Sequence, residues 1–326
     1  MKITGIGNAL LDVLIRLESD KTLRKLGLEK GAMDLIDESK MKEIQGLESR
    51  LPRSEAPGGS VSNTMRSLAR LGATVGYIGK IGNDKTGEIY EKETAKAGVH
   101  THFVQNEGVS GCSTVLVSPD GERTMATYLG LAATLNDAEI TDNMLDGYDC
   151  IYVEGYLISN EKLFLPVLQR AKKAGLKIAL DLANFNIVNG FRDLLKEVIP
   201  EYIDILFSNE SEAEAFTGLP AREAIRELLK MVDISVVTIG KDGALAGRGN
   251  DVVKVNAHKV NVLDTTGAGD NFAAGFLYGY AQGASTEQSA QIGALLAGNV
   301  VETMGAQIES GRWEKINLKV CEILRK

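Results

Sequence analysis

The chain has 326 residues, of which 44% are hydrophobic and 25% charged, as is typical of soluble folded domains. The formal net charge of −8 argues against binding to nucleic acid or to an acidic membrane surface, since both prefer a basic surface. Three widely spaced cysteines without a CxxC motif predict neither a disulfide framework nor a zinc site, and we expect a cytoplasmic protein without a transmembrane segment.

The first part of the chain is rich in short strands. Strands are expected at 2–7, 14–17, 33–36, 75–81, 101–104, 113–118 and 123–129. A turn is expected at 57–59, before a helix that runs to residue 69 and that Ser60 or Ser62 caps. A second helix is expected at 86–97.

From residue 150 onward, strands and helices alternate. Strands are expected at 150–153, 177–181, 205–208 and 235–239, with a hairpin at 244–247 and 252–255. Helices are expected at 161–174, 191–198, 210–216, 221–231, 271–280 and 285–301. Such alternation predicts a mostly parallel sheet with helices on both faces. The strand-rich segments near 12–50 and 100–130 predict a small sheet beside this core.

The segment 264–270, with the sequence DTTGAGD, is a glycine-rich turn before a helix. Small residues let backbone N–H groups converge at the helix N-terminus, where the partial positive charge binds anions such as phosphate. Asp270 stands beside this anion site, where a carboxylate can accept a proton from a hydroxyl that receives a phosphoryl group. We expect the helix terminus to lower the pKa of Asp270. For the glycines alone, a tight loop is the alternative.

A second motif, PGGSVSN, occupies residues 57–63. Gly58 and Gly59 allow a ligand to approach the backbone closely, and the amide of Asn63 can both donate to and accept from a vicinal diol. A turn followed by a capped helix is the alternative. Asp12 follows the first strand, at an edge where α/β sheets bind ligands, although it could also be a solvated loop acid.

GGxxxN and DTTGAGD, in this chain order and roughly 200 residues apart, resemble the two signatures of the ribokinase/PfkB family of small-molecule kinases. The GNALLD wording at 7–12 is closest to the adenosine kinase branch. The resemblance spans essentially the whole chain. It implies one kinase domain, 1–326, with a ribokinase-like three-layer α/β/α core, a mostly parallel sheet and a small β-sheet lid from about 12–50 and 100–130.

The resemblance also implies roles for individual residues. Gly267, Ala268 and Gly269 would stabilise the transferring phosphoryl group, and Asp270 would be the catalytic base. The residues that would hold the hydroxyls of the acceptor are Asp12, Gly58, Gly59 and Asn63.

On the ATP side, the NxxE pattern of the family maps to Asn209 and Glu212, which would hold Mg²⁺ and phosphates through water, as suits this ion. An ordinary capped helix is the alternative. A TxGxxG turn near the ATP phosphates maps to Thr238, Gly240 and Gly243, with a plain strand-turn as the alternative.

The loop before Asp270 would also bind ligands. Thr266 would bind phosphate, and the loop with Asp264 can form a K⁺ site. Arg123 could reach phosphate from the lid, although an exposed hairpin arginine is more often solvated. Tyr128, Tyr156 and Phe185 could flank a purine, but core packing is the usual role of such residues, so none is assigned. The Walker A motif is missing from the sequence, so ATP would use the helix-terminal anion site.

The predicted function is ATP-dependent phosphorylation of a primary hydroxyl, with Mg²⁺ as cofactor and adenosine, converted to AMP, as the first choice of acceptor. A sugar kinase similar to ribokinase or fructokinase is the alternative, and a non-catalytic ligand-binding protein on the same fold is a further one. The expected partners are a small nucleoside or sugar and ATP, and the chain is expected to be a monomer or a homodimer.

Overall fold

The computed structural model of the protein describes residues 1–48, 51 and 53–325. Its strands, in chain order, are β1 (Ile3–Ile6), β2 (Leu10–Arg16), β3 (Met33–Leu35), β4 (Arg53–Gly58), β5 (Val75–Gly82), β6 (His100–Asn106), β7 (Gly111–Val117), β8 (Arg123–Tyr128), β9 (Cys150–Glu154), β10 (Lys177–Asp181), β11 (Ile205–Asn209), β12 (Ile234–Thr238), β13 (Ala244–Arg248) and β14 (Asp251–Val255).

Its α-helices, in the same order, are α1 (Lys21–Leu26), α2 (Glu38–Glu48), α3 (Ser60–Arg70), α4 (Lys85–Lys96), α5 (Phe164–Lys173), α6 (Phe185–Gly190), α7 (Arg192–Tyr202), α8 (Glu210–Thr217), α9 (Ala221–Leu228), α10 (Ala268–Ala281), α11 (Thr286–Val300) and α12 (Trp313–Leu324). None of these helices is long and apolar enough to cross a membrane.

Nine of the described strands form one large sheet in the order β14-β13-β12-β11-β10-β9-β1-β5-β6. Its pairs are parallel except where β13 runs antiparallel to β12 and to β14. Side chains along β9 alternate between two core clusters, with Cys150 and Tyr152 in one and Ile151 and Val153 in the other. Helices α3, α4, α10, α11 and α12 share the first cluster, and α5, α7, α8 and α9 share the second. The predicted α/β fold is therefore confirmed.

A second sheet, which we call the lid sheet, has the order β3-β8-β7-β2-β4. Alternation along β2 gives it two different faces, as the period of two in a strand requires. Leu11, Val13 and Ile15 are buried in the core cluster that also contains residues of α1 and α2, whereas Leu10 and Asp12 face a cavity. The lid sheet thus presents a mixed polar and apolar surface to the α/β core.

Helices α10 and α11 pack closely because small residues face each other. A Cβ on Gly275 would lie 2.6 Å from the carbonyl oxygen of Ile292, and one on Gly279 would lie 2.8 Å from the Cα of Ser289. Side chains larger than hydrogen at these positions would push the helices apart. This packing fixes α10, and therefore Asp270 in its first turn, relative to the sheet.

Some predicted elements were wrong. Strand β6, which we assigned to the lid, pairs in parallel with β5 at the edge of the large sheet. Pro57 and Gly58 belong to strand β4 rather than to a turn, and Gly59 precedes α3 without any side-chain cap from a serine. Helices α1, α2, α6 and α12 were not predicted. The end of the lid segment expected at 12–50, residues 49 and 50, lies outside the described residues.

Candidate active site

A cavity of about 960 Å³ opens at the carboxyl ends of the parallel strands, where α/β sheets commonly bind ligands. Strands β1 and β9 to β12 contribute residues at or just after their ends, which are Asn8, Glu154, Asp181, Asn209 and Thr238. The lid sheet contributes Leu10, Asp12, Ser113, Met125 and Thr127, and the start of α10 contributes Thr266, Gly269 and Asp270. Core, lid and helix N-terminus therefore meet at one site.

Asp270 is the third residue of α10, and two side chains from the first turn of α3 hold its carboxylate. Ser60 Oγ donates to Oδ1 at 2.8 Å, and Asn63 Nδ2 donates to Oδ2 at 2.8 Å. Burial raises the pKa of Asp270 to about 6, although both hydrogen bonds act to lower it. The expectation of a lowered pKa was therefore wrong, because desolvation dominates at this position. A pKa near neutrality is favourable for a general base.

The first turn of α10 offers unpaired backbone donors. The N–H groups of Gly267, Gly269 and Asp270 donate to no acceptor in the part of the chain that the structure describes, whereas that of Ala268 donates to the Thr265 carbonyl at 3.2 Å. Gly267 adopts a φ of 74°, in the left-handed region that favours glycine. A Cβ on Gly269 would meet no atom within 4 Å. The turn therefore has the donors and the space that an anion needs.

Both glycines of the GGxxxN motif allow close approach of other groups. A Cβ on Gly58 would collide with the Asp12 carboxylate, and one on Gly59, whose φ is 86°, would lie 2.5 Å from the Asn8 carbonyl oxygen. Burial raises the pKa of Asp12 to about 7, with repulsion from Asp270 as the second cause. The motif thus brings the Asp12 carboxylate against the backbone at the start of α3.

Arg123 connects the lid sheet to the loop that precedes α10. Its Nη1 donates to Thr266 Oγ1 at 3.0 Å, and its Nη2 lies 2.6 Å from Asp264 Oδ2. The Asp264 carboxylate also accepts from the N–H of Thr266 at 3.1 Å and from that of Gly305 at 2.5 Å. Arg123 is therefore a paired, mostly buried side chain rather than a solvated hairpin arginine.

Asn209 and Glu212 form a reciprocal capping box at the start of α8. The Glu212 N–H donates to Asn209 Oδ1 at 2.9 Å, and the Asn209 N–H donates to Glu212 Oε2 at 2.9 Å. The capped helix that we considered as an alternative is thus present. Both residues also line the cavity, so the capping role and a ligand role are compatible. Burial and repulsion from Asp181 raise the pKa of Glu212 to about 8.

The TxGxxG segment places one of its three residues in the cavity. Thr238, at the end of β12, lines the cavity, whereas Gly240 and Gly243 do not. Gly240 and Gly243 have φ values of 55° and 95°, and a Cβ on Gly243 would collide with the Val255 carbonyl oxygen. These glycines shape the turn between β12 and β13.

Sequence reasoning missed two buried carboxylates of the cavity. Glu154 ends β9 and accepts from the Asn8 N–H at 3.0 Å, and burial raises its pKa to about 7. Asp181 ends β10 and accepts from the Tyr152 hydroxyl at 3.0 Å, and burial raises its pKa also. An acid at the carboxyl end of a predicted strand, the signal that singled out Asp12, would have found both. Of the three unassigned aromatic residues, Tyr156 lines the cavity.

The cavity carries a concentration of acidic groups whose pKa values burial raises, namely Asp12, Glu154, Asp181, Glu212 and Asp270. None of these five forms an ion pair with a lysine or arginine among the described residues. No group of three or more potential ligands in the described part is arranged to hold a metal directly. The oxygen donors at Asp181 and Glu212 fit a hard cation that keeps its waters, such as Mg²⁺.

Comparison with known proteins agrees with this arrangement. Residues 34–312 match the model of the pfkB family of carbohydrate kinases. The chain is 31% identical over 242 residues to an uncharacterized sugar kinase from Archaeoglobus fulgidus, and the aligned region covers 74% of this chain and 96% of that protein.

Two solved structures match nearly the whole fold. A probable sugar kinase from Rhizobium etli CFN 42 is 31% identical with a TM-score of 0.87, over 99% of this chain and 98% of that one. The adenosine kinase from Sinorhizobium meliloti is 32% identical with a TM-score of 0.84, over 98% of both chains. With the family match, these similarities show that the chain belongs to the pfkB family of carbohydrate kinases and is a phosphotransferase that uses ATP and acts on an alcohol group.

Proposed function

We propose that the protein transfers the γ-phosphoryl group of ATP to a primary hydroxyl of a neutral acceptor with several hydroxyls, and that adenosine, converted to AMP, is the first candidate. One observation carries this proposal. Asp270 is a mostly buried carboxylate beside unpaired helix-terminal amides, in a cavity that also contains Asp12. Transfer of a phosphoryl group to a hydroxyl requires a base and an anion site at such close quarters.

The acceptor side of the proposal rests on Asp12, Gly58, Gly59 and Asn63. Asp12 accepts hydrogen bonds from ring hydroxyls, while the glycines leave the space for the ring to approach the backbone. The Asn63 amide is already bonded to Asp270, so an acceptor that touches Asn63 lies next to the proposed base. Alignment of this kind can lower a reaction barrier by about 7–11 kcal/mol in favourable cases.

The phosphate side of the proposal rests on the start of α10. The N–H groups of Gly267, Gly269 and Asp270, which have no acceptor among the described residues, bind the transferring phosphoryl group, with Thr266 beside them. Asn209 and Thr238 contact the phosphates of ATP. Glu212, together with Asp181, would hold Mg²⁺ through water. When bound, the ion neutralises negative charge that develops on the phosphate oxygens. Gly240 and Gly243 keep the turn after β12 in shape.

The chemical step forms one bond and breaks another. The acceptor oxygen bonds to the γ-phosphorus, the bond from that phosphorus to the bridging oxygen of ADP breaks, and the hydroxyl proton passes to Asp270. With a pKa of about 6, Asp270 is ionised in most molecules at neutral pH, so it orients the hydroxyl first and takes the proton late. The lid sheet, whose residues line the cavity, excludes water and limits hydrolysis of ATP.

A nucleoside acceptor is supported by apolar residues in the cavity. Leu10, Leu129, Ala133 and Leu157 line it beside Tyr156, and such surfaces suit the faces of a purine. The similarity to the S. meliloti adenosine kinase supports the same acceptor.

A sugar acceptor is the second candidate. Glu154 adds a hydrogen-bond acceptor that a hydroxyl-rich ring would use, and the A. fulgidus relative is named a sugar kinase. Two further expectations stay predictions, a K⁺ site at the loop of Asp264 and a monomeric or homodimeric state.

ADP release with Mg-ATP against adenosine, inosine, guanosine, cytidine, ribose, fructose and fructose phosphates tests the proposal. Efficient turnover of adenosine alone supports the nucleoside assignment. Turnover of ribose or fructose alone keeps the mechanism and replaces the acceptor. Preference for a phosphorylated sugar would contradict the proposal, because the acidic groups of the cavity would repel a second phosphate.

A further inference from the structure

The segment 302–308 is anchored to both sides of the α10 N-terminus. The Gly305 N–H donates to Asp264 at 2.5 Å, and the Ala306 carbonyl accepts from Asn271 Nδ2 at 3.1 Å. Within the segment, Thr303 Oγ1 donates to the Gln307 carbonyl at 2.9 Å. The backbone at residue 307 is therefore held in a defined position beside the active site.

The side chain of Gln307 reaches Asp270 through one intermediate. Its Nε2 donates to Asn63 Oδ1 at 2.9 Å, and Asn63 Nδ2 donates to Asp270 Oδ2 at 2.8 Å. Asn63 is 5% exposed, so water has little access to replace either bond. With its oxygen bonded to Gln307, the Asn63 amide must present its nitrogen to Asp270. The flipped amide would instead bring two oxygens together.

We propose that Gln307 is a positioning residue that fixes the orientation of the Asn63 amide and so holds the Asp270 carboxylate ready to receive the proton of the acceptor. Gln307 is not among the residues that line the cavity, so it acts through Asn63 rather than on a substrate. The inference rests on the proposed role of Asp270 as the base. It also connects the loop of Asp264 to the acceptor side of the site.

The hydrogen bond that Asn63 donates to Asp270 is important because of the other titratable groups nearby. Among the described residues, the titratable groups that interact with Asp270 from neighbouring elements are Asp12 of β2, Tyr152 and Glu154 of β9, Tyr156 and Asp181. All are acids, so none supplies a compensating positive charge. The two bonds from Ser60 and Asn63 are therefore the side-chain contacts that favour the ionised form of Asp270.

Two variants of Gln307 distinguish loss of its hydrogen-bond donor from replacement of that donor by an acceptor. Gln307→Met removes the donor at similar size. Gln307→Glu replaces it with an acceptor, which draws the Asn63 amide nitrogen away and turns the amide oxygen toward Asp270. Gln45→Glu, on the exposed face of α2, is the control that adds the same charge elsewhere. Each variant is assayed for steady-state turnover and thermal melting, and the Asp270 carboxyl is titrated by ¹³C NMR without substrates.

We expect Gln307→Glu to raise the midpoint of the Asp270 titration by about one pH unit, a tenfold change in proton affinity. Its kcat should fall by roughly tenfold to a hundredfold, with the KM for ATP changed by less than about twofold, as a misplaced reacting group predicts. Gln307→Met should lower kcat with a smaller change in the titration. Gln45→Glu should change neither quantity.

An unchanged Asp270 titration in Gln307→Glu would overturn the inference. If that variant does not fold, wild-type kcat in Gln307→Met would overturn it equally. A shifted Asp270 titration together with a wild-type kcat would distinguish the two proposals. The influence of Gln307 on Asp270 through Asn63 would be supported, whereas the role of Asp270 as the base would be contradicted. A purely structural role would lower the melting temperature without moving the titration.

Discussion

The substitution Asp270→Asn should make the protein more stable and almost inactive. The pKa of Asp270 is raised by burial from an ordinary 3.8 to about 6. At 1.36 kcal/mol per pH unit, keeping this carboxylate ionised in the folded state costs about 3 kcal/mol. Because the folded state binds the proton more tightly, stability decreases as pH rises from about 4 to about 6 and stays lower above that range.

An amide at position 270 removes this cost. Its oxygen can still accept from Asn63, and the Ser60 hydroxyl can rotate to accept from its nitrogen. At pH 8 we expect stabilisation of up to about 3 kcal/mol, which raises the melting temperature by up to about 5 °C. At pH 4 the difference should largely disappear, since Asp270 is then protonated in the folded wild type. Turnover should fall by about 10²–10⁴-fold, the usual contribution of a general base.

The assay combines ADP release at saturating substrates with thermal unfolding at pH 8 and pH 4. Asp193→Asn is the matched control, because the Asp193 side chain is 98% exposed and undergoes the same change of charge. It should alter neither turnover nor stability appreciably. Turnover of Asp270→Asn within tenfold of wild type would refute the assignment of the base. Equal melting temperatures at pH 8 would refute the argument from burial.

Three further predictions concern the same site. Gly269→Ala should keep the wild-type melting temperature, because its Cβ has open space, but should lower turnover by about 100-fold, because the methyl group would stand at the anion site. Gly267→Ala, strained at φ 74°, should lower the melting temperature as well as turnover. Equal effects of the two substitutions on the melting temperature would contradict this distinction. Gly58→Ala should displace Asp12 and raise the KM for the acceptor by about tenfold, with the KM for ATP as internal control, and an unchanged acceptor KM would be inconsistent with the role of Asp12. The kcat of the wild type should fall tenfold per pH unit below about pH 6, where Asp270 becomes protonated, and a flat profile from pH 5 to 7 would exclude Asp270 as the titrating base.

The sequence predicted the α/β core well because its strands are short apolar runs between helical patterns. Strand β6 was assigned to the wrong sheet for a physical reason. It lies at the edge of the large sheet and its residues are only partly buried, so its polar pattern looks like that of a lid strand. Helix α2 was missed because in its described part only Met41 and Ile44 are buried apolar residues. Which sheet a polar strand joins depends on contacts far away in sequence.

The candidate site was predictable where the backbone itself demands a residue type. Gly58, Gly59 and Gly267 each stand where a Cβ would meet another group, so the local sequence carries the signal. The ionisation of Asp270 was not predictable, because it depends on burial created by several separate segments. The contact from Gln307 to Asn63 joins residues 244 positions apart, and no local pattern marks it.

Electrostatics divide the cavity into two regions with different preferences. Amides of the α10 N-terminus that have no acceptor among the described residues face one region, and such a helix terminus attracts phosphate. Asp12 and Glu154 lie in the other region, where neutral hydroxyls can donate hydrogen bonds and a second phosphate would be repelled. The Asp270 carboxylate and its own N–H lie at the boundary of the two regions, so the proposed base would stand between the donor and the acceptor of the phosphoryl group.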